Sequence, residues 1–162
     1  MDIQIELKLV EISEFSKILS GYFGDYTILG LTGDLGSGKT TFTKSLVKSL
    51  GIQENVTSPT YSIENEYYSD EIKILVRHID LYRGLGDYEI NEIFERRNTY
   101  GKEIVIIEWA NLLSSFPNSN YLEINFDSSE NIAPSSRLVK LTGNIGFFRE
   151  LEHEIQVKYG KK

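Results

Sequence analysis

The chain has 162 residues, of which 17 are Lys or Arg and 24 are Asp or Glu, so its formal net charge is −7. A protein that coats nucleic acid with a broad surface needs a surplus of basic side chains, and this charge argues against that class. The absence of Cys excludes disulfides and thiolate metal sites. A composition of 40% hydrophobic and 25% charged residues is typical of a globular protein, and the length predicts a single domain spanning residues 1–162.

The N-terminal segment predicts a strand followed by a helix. Apolar residues alternate with polar ones from Ile3 to Leu9, as in a strand with one buried face. From Ser13, a potential helix cap, apolar residues recur at helical spacing until Gly24. The segment lacks the basic start and apolar run of a signal peptide, and no stretch approaches the roughly 18 apolar residues that span a membrane. We therefore expect a cytoplasmic protein with no membrane contact.

Strand and helix patterns continue to alternate along the chain, which predicts the α/β class. The apolar run at 26–32 is short enough for a buried central strand, residues 33–38 form a glycine-rich loop, and helical spacing returns from Lys39 to Gly51. The later predicted elements are a loop at 57–60, strands at 61–68 and 72–80 joined by a turn at Ser69 and Asp70, a helix at 88–97, a buried strand at 104–107, strands at 121–127 and 138–142, and a helix after a possible cap at Asn144.

The glycine-rich segment fits the phosphate-binding pattern G-x-x-x-x-G-K-[ST] from Gly33 to Thr40. Glycines let backbone N–H groups approach phosphate oxygens, and the start of the following helix attracts negative charge. Lys39 is expected to reach the β- and γ-phosphates, and the Thr40 hydroxyl is expected to ligate Mg²⁺. A chance match in a glycine turn is the alternative, but the strand before the loop and the helix after it favour nucleotide binding. The predicted nucleotide contacts are Asp34, Leu35, Gly36, Ser37, Gly38, Lys39, Thr40 and Thr41.

Two acids stand where predicted strands end, which is where α/β sheets bind ligands. Glu108 follows the run 104–107, and Asp80 follows the apolar-rich run 74–79. Either acid could be a solvated strand-end residue, but the nearby phosphate loop favours a metal or catalytic role for both. His78 alone is more typical of a hydrogen-bonded structural histidine, and Trp109 is either core or a nucleotide or partner contact.

The segment Thr57, Ser58, Pro59 and Thr60 lies where proteins with this loop place a nucleotide-sensing switch. Its hydroxyls could approach the γ-phosphate or its metal ion. No Asn-Lys-x-Asp segment for guanine recognition is present, and the arginines are too dispersed to indicate a kinase-like lid.

Four segments in this order resemble the bacterial TsaE family, formerly called YjeE. They are Gly-Asp-Leu-Gly-Ser-Gly-Lys-Thr-Thr at 33–41, Thr-Ser-Pro-Thr-Tyr at 57–61, His-Ile-Asp-Leu-Tyr-Arg at 78–83 and Ile-Glu-Trp at 107–109. The resemblance implies a P-loop NTPase fold with a mainly parallel central sheet flanked by helices and extended by antiparallel strands. It also implies an ATPase that binds ATP and Mg²⁺ and acts with TsaD and TsaB in tRNA threonylcarbamoyladenosine synthesis, so that tRNA is met only through the complex.

The resemblance also implies roles for individual residues. Lys39 and Thr40 take the phosphate and Mg²⁺ positions, Glu108 matches the family's Mg²⁺ ligand, and Asp80 matches its essential acid. Residues 57–60 match its switch-like loop. The remaining residues to which it assigns places in or near the site are His78, Tyr82, Arg83 and Trp109, together with Glu11 and Arg137 for the adenine pocket.

The chain departs from the family pattern in two places. Ala110 and Asn111 follow Trp109 where relatives commonly have Pro-Glu, and residues 84–86 are Gly-Leu-Gly where an acidic helix is usual. Two other functions use the same loop and stay open at this level: a small-molecule phosphotransferase, and a nucleotide-gated binding module with negligible turnover.

Overall fold

The computed structural model describes residues 2–59, 62–85, 87–96, 101–115, 120–128, 133–146 and 148–160. The described strands are β1 (Asp2–Lys8), β2 (Tyr26–Thr32), β3 (Glu64–Ser69), β4 (Ile74–Asp80), β5 (Lys102–Glu108), β6 (Tyr121–Asp127) and β7 (Ser136–Gly143). The described α-helices are α1 (Ile12–Ser20), α2 (Lys39–Ser49), α3 (Asp87–Glu95) and α4 (Phe148–Tyr159). Short 3₁₀ helices occupy Leu9–Glu11 and Ala110–Leu112.

The seven strands form one sheet in the order β1-β7-β6-β2-β5-β4-β3. The four central strands β6, β2, β5 and β4 pair in parallel, whereas β1, β7 and β3 join by antiparallel pairing. This confirms the predicted α/β class with a mainly parallel centre and antiparallel additions. Because β2, β4 and β5 run in one direction, their C-terminal ends meet at a single edge of the sheet.

Alternation along the buried strands divides the core into two layers, since successive side chains of a strand point to opposite faces. On β5, Ile104 and Ile106 pack with α1, α2 and α4, and Val105 and Ile107 pack on the other face with Ile90 of α3. Glu108 continues the series of Ile104 and Ile106. Its side chain therefore belongs to the face that α2 covers. Within the described ranges, no helix has both the length and the hydropathy needed to cross a bilayer.

The ends of several elements differ from the sequence prediction. Helix α1 begins at Ile12, with Glu11 rather than Ser13 at the cap position, and it ends at Ser20, before Gly21. The Glu11 carboxylate accepts the backbone N–H of Lys8 at 2.8 Å, so the preceding 3₁₀ turn supplies the start that Ser13 was expected to supply.

The turn between β3 and β4 also differs from the prediction, and Asn144 makes a contact that was not predicted. The β3–β4 turn comprises residues 70–73, with Lys73 in the left-handed region at φ 52°, rather than Ser69 and Asp70. The described helix α4 begins at Phe148, and residue 147 lies outside the described residues, so the cap at Asn144 stays a prediction. The Asn144 Oδ1 atom accepts the N–H of Tyr121 at 3.0 Å, and the Asn144 N–H donates to the Tyr121 carbonyl, so Asn144 closes the β6–β7 pair. These contacts join residues more than 20 positions apart, which a local pattern does not encode.

A buried arginine ties three elements together on the α3 side of the sheet. Arg77 of β4 is 1% exposed. Its Nε donates to Glu64 of β3 at 2.7 Å, and its Nη1 donates to Glu103 of β5 at 3.1 Å. Nη1 also donates to the carbonyls of Ile93 and Arg96 at 2.7 and 3.2 Å, at the C-terminal end of α3. Arg77 therefore fixes the end of α3 on the sheet.

Replacing Arg77 with Ala should lower the free energy of unfolding by about 3–5 kcal/mol, because it removes a buried cation that pairs with Glu64 and Glu103. Arg96 offers a matched control, since it bonds the same Glu64 carboxylate but its side chain is 56% exposed. Arg96→Ala should cost about 1 kcal/mol or less. Urea denaturation followed by circular dichroism measures both, and equal losses would contradict the importance of burial.

Candidate functional site

The loop between β2 and α2 adopts a backbone that requires glycine. Gly33, Gly36 and Gly38 have φ values of 131°, 76° and 113°, in the region that side chains disfavour. At Gly33 a Cβ atom would also lie 2.3 Å from the carbonyl oxygen of Phe126, whereas at Gly36 and Gly38 it would meet no atom within 4 Å. Gly33 is thus required by both conformation and space, and the other two by conformation.

The loop forms one side of a cavity of about 320 Å³ at the edge where β2, β4 and β5 end. This is the position at which α/β sheets bind ligands, because the loops leaving the parallel strands diverge there. The cavity is lined by Leu35, Gly36, Gly38, Lys39, Thr40, Thr41, Ser58, Asp80, Tyr82, Glu108 and Trp109.

The Lys39 ammonium is enclosed within this site. The residue is 5% exposed, and its Nζ donates to the carbonyls of Gly33 and Asp34 at 2.7 and 2.9 Å. Nζ also lies 4.1 Å from the centre of the Trp109 ring, within cation–π range. Burial lowers the pKa of Lys39, and neighbouring carboxylates only partly oppose it. An anion entering the cavity would therefore meet a poorly hydrated cation.

A hydrogen-bonded chain runs from α2 into the sheet beside this lysine. The Thr40 hydroxyl donates to the Glu108 carboxylate, with distances of 3.0 and 3.1 Å to its two oxygens. The Nε2 atom of His78 lies 2.8 Å from Oε1 of the same carboxylate. Glu108 is 3% exposed and His78 is fully buried. These hydrogen bonds hold a hydroxyl group and a carboxylate in contact with each other next to the glycine loop.

Asp80 lies directly beside Glu108, because the two residues pair across β4 and β5. Its Oδ1 accepts the backbone N–H of Tyr82 at 2.8 Å, and its Oδ2 lies 3.4 Å from the Ser58 hydroxyl. Both strand-end acids singled out in the sequence therefore reach the same cavity. Asp80 additionally contacts the segment that was predicted to act as a switch.

Thr40 and Glu108 fit the donor set that Mg²⁺ prefers. Within the described part of the chain, no group of three or more His, Cys, Asp or Glu side chains is arranged to hold a metal ion by itself. Mg²⁺ usually keeps several waters and takes one or two protein oxygens together with substrate phosphates. A hydroxyl, a carboxylate and an open cavity beside a phosphate-type loop could supply such an arrangement.

The predicted switch segment is anchored at its start by β3. Tyr67 bonds Thr57 twice, since its Oη accepts the Thr57 N–H at 3.1 Å and donates to the Thr57 carbonyl at 3.0 Å. Pro59 is buried, and its carbonyl accepts the N–H of Ile63 at 2.7 Å. Of the described residues 57–59, only Ser58 lines the cavity. Thr60 lies outside the described residues. Sequence reasoning missed Tyr67, because nothing in its local pattern indicates a contact ten residues upstream.

Two aromatic side chains flank the mouth of the cavity. Trp109 adopts a left-handed backbone, with φ 61° and ψ 38°, immediately after Glu108. Its ring packs against Tyr82, with centroids 5.2 Å apart and Tyr82 58% exposed. Arg83 follows on the exposed turn after β4 and is not part of the lining. Trp109 is partly buried against the core layer that contains Ile107, and its ring also lies beside Lys39.

The remaining predicted contacts lie outside the cavity lining. Arg137 of β7 donates from Nε to the Ser37 carbonyl at 2.9 Å, so it holds the glycine loop from outside the cavity lining. Ser37 itself is buried, and Asp34 contributes its carbonyl to Lys39. Glu11 bonds the backbone of Lys8, near the start of β7. No side chain of Glu11 or Arg137 reaches the cavity lining.

Together, the strand, the glycine loop and the helix that begins with Lys39 and Thr40 at the C-terminal edge of a parallel sheet define the P-loop NTPase fold. The family model described as "Threonylcarbamoyl adenosine biosynthesis protein TsaE" matches residues 8–139. The chain therefore belongs to the TsaE family.

Individual relatives agree with this membership. A TsaE protein of Borreliella burgdorferi is 40% identical over 119 residues, covering 72% of this chain and 81% of the relative. A TsaE protein of Bacillus subtilis is 35% identical over 106 residues, covering 64% of this chain and 63% of the relative. The crystal structure of Bacillus subtilis YdiB superposes with a TM-score of 0.69 at 28% identity, covering 98% of this chain and 97% of that one.

The two kinds of glycine in the loop lead to a stability prediction. Gly36→Ala should cost about 1–2 kcal/mol through backbone strain alone. Gly33→Ala should cost about 2–5 kcal/mol, because the close approach to Phe126 adds overpacking to the strain. Urea denaturation of the two variants measures the difference. A Gly33 variant no less stable than the Gly36 variant would show that the loop can move away from β6.

Proposed function

We propose that this chain is a Mg²⁺-dependent ATPase of the tRNA threonylcarbamoyladenosine pathway, with residues 1–162 forming one P-loop ATPase domain. The observation that carries the proposal is the contact of Thr40 with Glu108 at the side of the glycine loop. It joins a hydroxyl from the phosphate-binding helix to a strand-end carboxylate, in a chain of the TsaE family. ATP and Mg²⁺ are the ligands that this combination favours.

The phosphate chain would lie against the glycine loop and the first turn of α2. The first backbone N–H groups of a helix have no acceptor within the helix, and its dipole attracts anions. The Lys39 ammonium is enclosed and poorly hydrated, so it would bind the terminal phosphates strongly. The nucleotide-contacting residues proposed from the loop are Asp34, Leu35, Gly36, Ser37, Gly38, Lys39, Thr40 and Thr41.

Thr40 and Glu108 would hold the metal, which when bound neutralises charge that develops on the transferred phosphoryl group. Asp80 would act as a catalytic residue at the same end of the site. Its carboxylate is oriented by the N–H of Tyr82 and lies within reach of Ser58. A movement of the switch segment 57–60 on nucleotide binding would therefore change the contact between Ser58 and Asp80.

We propose TsaD and TsaB as the protein partners, with tRNA met only through the assembled complex in the cytoplasm. The names of the relatives place those proteins in tRNA threonylcarbamoyladenosine biosynthesis. The net charge of −7 supports an indirect contact with tRNA, since a polyanion is repelled by an acidic surface. Nucleotide turnover would be weak in the isolated chain and stimulated by the partners.

Changing Lys39 or Glu108 should separate nucleotide binding from turnover. Lys39→Ala removes the buried cation and should weaken ATP binding itself. Glu108→Gln keeps a side chain of the same shape but lowers the affinity for the metal, so it should reduce Mg²⁺-dependent hydrolysis by about 10–100-fold and leave Mg²⁺-free binding near the wild-type value. Calorimetry and phosphate release measure the two effects, and unchanged hydrolysis in the Glu108 variant would contradict the metal assignment.

Reconstitution tests the pathway assignment. With TsaB, TsaD, tRNA and threonylcarbamoyl-adenylate, addition of this protein and ATP should raise modification well beyond one product per TsaD, and Lys39→Ala should abolish the gain. Modification that proceeds equally well without the protein would contradict the assignment. ATP consumption that depends instead on a small-molecule acceptor would favour a phosphotransferase, and nucleotide-dependent partner binding without hydrolysis would favour a binding module.

A further inference from the structure

His78 lies in a buried, apolar position, where a histidine is unfavourable unless its ring nitrogens make hydrogen bonds. The side chain is 0% exposed in the middle of β4, where Ile74 and Val76 on the same face belong to the apolar core. Its Nδ1 atom is inaccessible to solvent and has no hydrogen-bond partner among the described residues. A buried polar atom without a partner costs free energy that an aliphatic residue would avoid.

The hydrogen bond that the ring makes is directed at the candidate metal site. Nε2 lies 2.8 Å from Oε1 of Glu108. Since a carboxylate accepts and does not donate, Nε2 must carry the hydrogen in this contact. His78 pairs with Ile106 across β4 and β5, one alternation before the pair Asp80 and Glu108, so it lies deeper in the sheet than the carboxylate it contacts.

The Glu108 carboxylate is consequently held between two elements. Thr40 approaches from α2, at nearly equal distances from both carboxylate oxygens, and His78 approaches from β4 at Oε1 alone. A donor on a single oxygen determines how the carboxylate is rotated, which the symmetric contact with Thr40 does not. Hydrogen bonds of this kind orient metal-binding side chains and commonly alter metal affinity by about 10–100-fold when they are removed.

We propose that His78 is a positioning residue whose Nε2–H group fixes the rotation of the Glu108 carboxylate so that it meets Mg²⁺ beside Thr40. The proposal rests on the function proposed above. It differs from a packing role, because it requires a donor at the position of Nε2 and nothing at the position of Nδ1.

Three substitutions at this position distinguish the two roles. In His78→Gln the amide nitrogen can take the place of Nε2, whereas in His78→Asn it corresponds to Nδ1 and falls short of Glu108. His78→Met matches glutamine in length and offers no donor. Gln and Met therefore separate hydrogen bonding from shape, and Gln and Asn separate the two ring nitrogens.

The readout is the Mg²⁺ dependence of nucleotide binding, with no turnover required. Anisotropy of a fluorescent, non-hydrolysable ATP analogue gives the Mg²⁺ concentration for half-maximal tightening. Asn and Met should raise it about 10-fold or more, and Gln should stay within about 3-fold of wild type. Binding without Mg²⁺ should be alike in all four proteins. A Gln variant as impaired as Met, or a Met variant equal to wild type, would overturn the proposal.

A second measurement uses the unaltered protein, so it does not depend on whether a variant folds. The chain contains two histidines, and the other, His153, is exposed. Nitrogen-15 spectra of the rings should show a slowly exchanging hydrogen on Nε2 of His78 that persists when the analogue and Mg²⁺ are added. A ring without hydrogen on Nε2 would overturn the proposal directly.

Different results would contradict the proposed metal site and the proposed role of His78. Wild-type protein that binds the analogue equally with and without Mg²⁺ would contradict the metal site of the proposed function and the role of His78 with it. Normal Mg²⁺ dependence in the wild type, combined with equal impairment of the Gln and Met variants, would overturn the role of His78 alone.

Discussion

The parallel pairing of β2, β4 and β5 is the constraint on which the rest of the site depends. The register aligns Asp80 with Glu108 and Leu31 with Glu108, so the three strands end together. The glycine loop follows β2 at the same edge of the sheet. Helix α2 follows the loop and packs over one face of the sheet. Thr40 therefore meets Glu108, although 68 residues separate them along the chain. A shift of one residue in either pairing would turn Glu108 to the opposite face, where α3 packs.

The buried polar groups of β4 follow from the same alternation. Arg77 points to the α3 face and bonds two carboxylates and the end of a helix, whereas His78 points to the α2 face and bonds Glu108. Each group is enclosed almost completely, so its hydrogen bonds are strong and the loss of one partner is expensive. One strand thus stabilises the helix on one side of the sheet and orients the candidate metal site on the other.

The acidic net charge of the chain does not conflict with phosphate binding, because of where Lys39 lies. Lys39 is enclosed among loop carbonyls and the Trp109 ring, so the cation that a phosphate would meet is inside the cavity and not on the surface. A net charge of −7 is compatible with nucleotide binding for that reason. It disfavours a broad tRNA surface on this chain, which is consistent with the indirect tRNA contact proposed above.

Local pattern determined a large part of this molecule. The glycine loop, the helix that starts at Lys39 and the strand-end positions of Asp80 and Glu108 could all be read from the sequence, because each depends on neighbours within a few residues. The limits predicted for α1 were wrong, because the helix start depends on the bond between Lys8 and Glu11 in the 3₁₀ turn, which the spacing of apolar residues does not show. The bond between Asn144 and Tyr121 was not predicted, because it joins separate elements.

Only the tertiary structure decided which of these elements meet. Strand order and register bring Thr40, His78 and Glu108 into one chain of hydrogen bonds, place Arg137 behind the glycine loop and attach Thr57 to Tyr67. None of these contacts has a periodic signature, since each joins separate elements through pairing that the whole core selects. The sequence by itself therefore determined the chemistry available at the sheet edge, and the packing of the sheet determined how that chemistry is oriented.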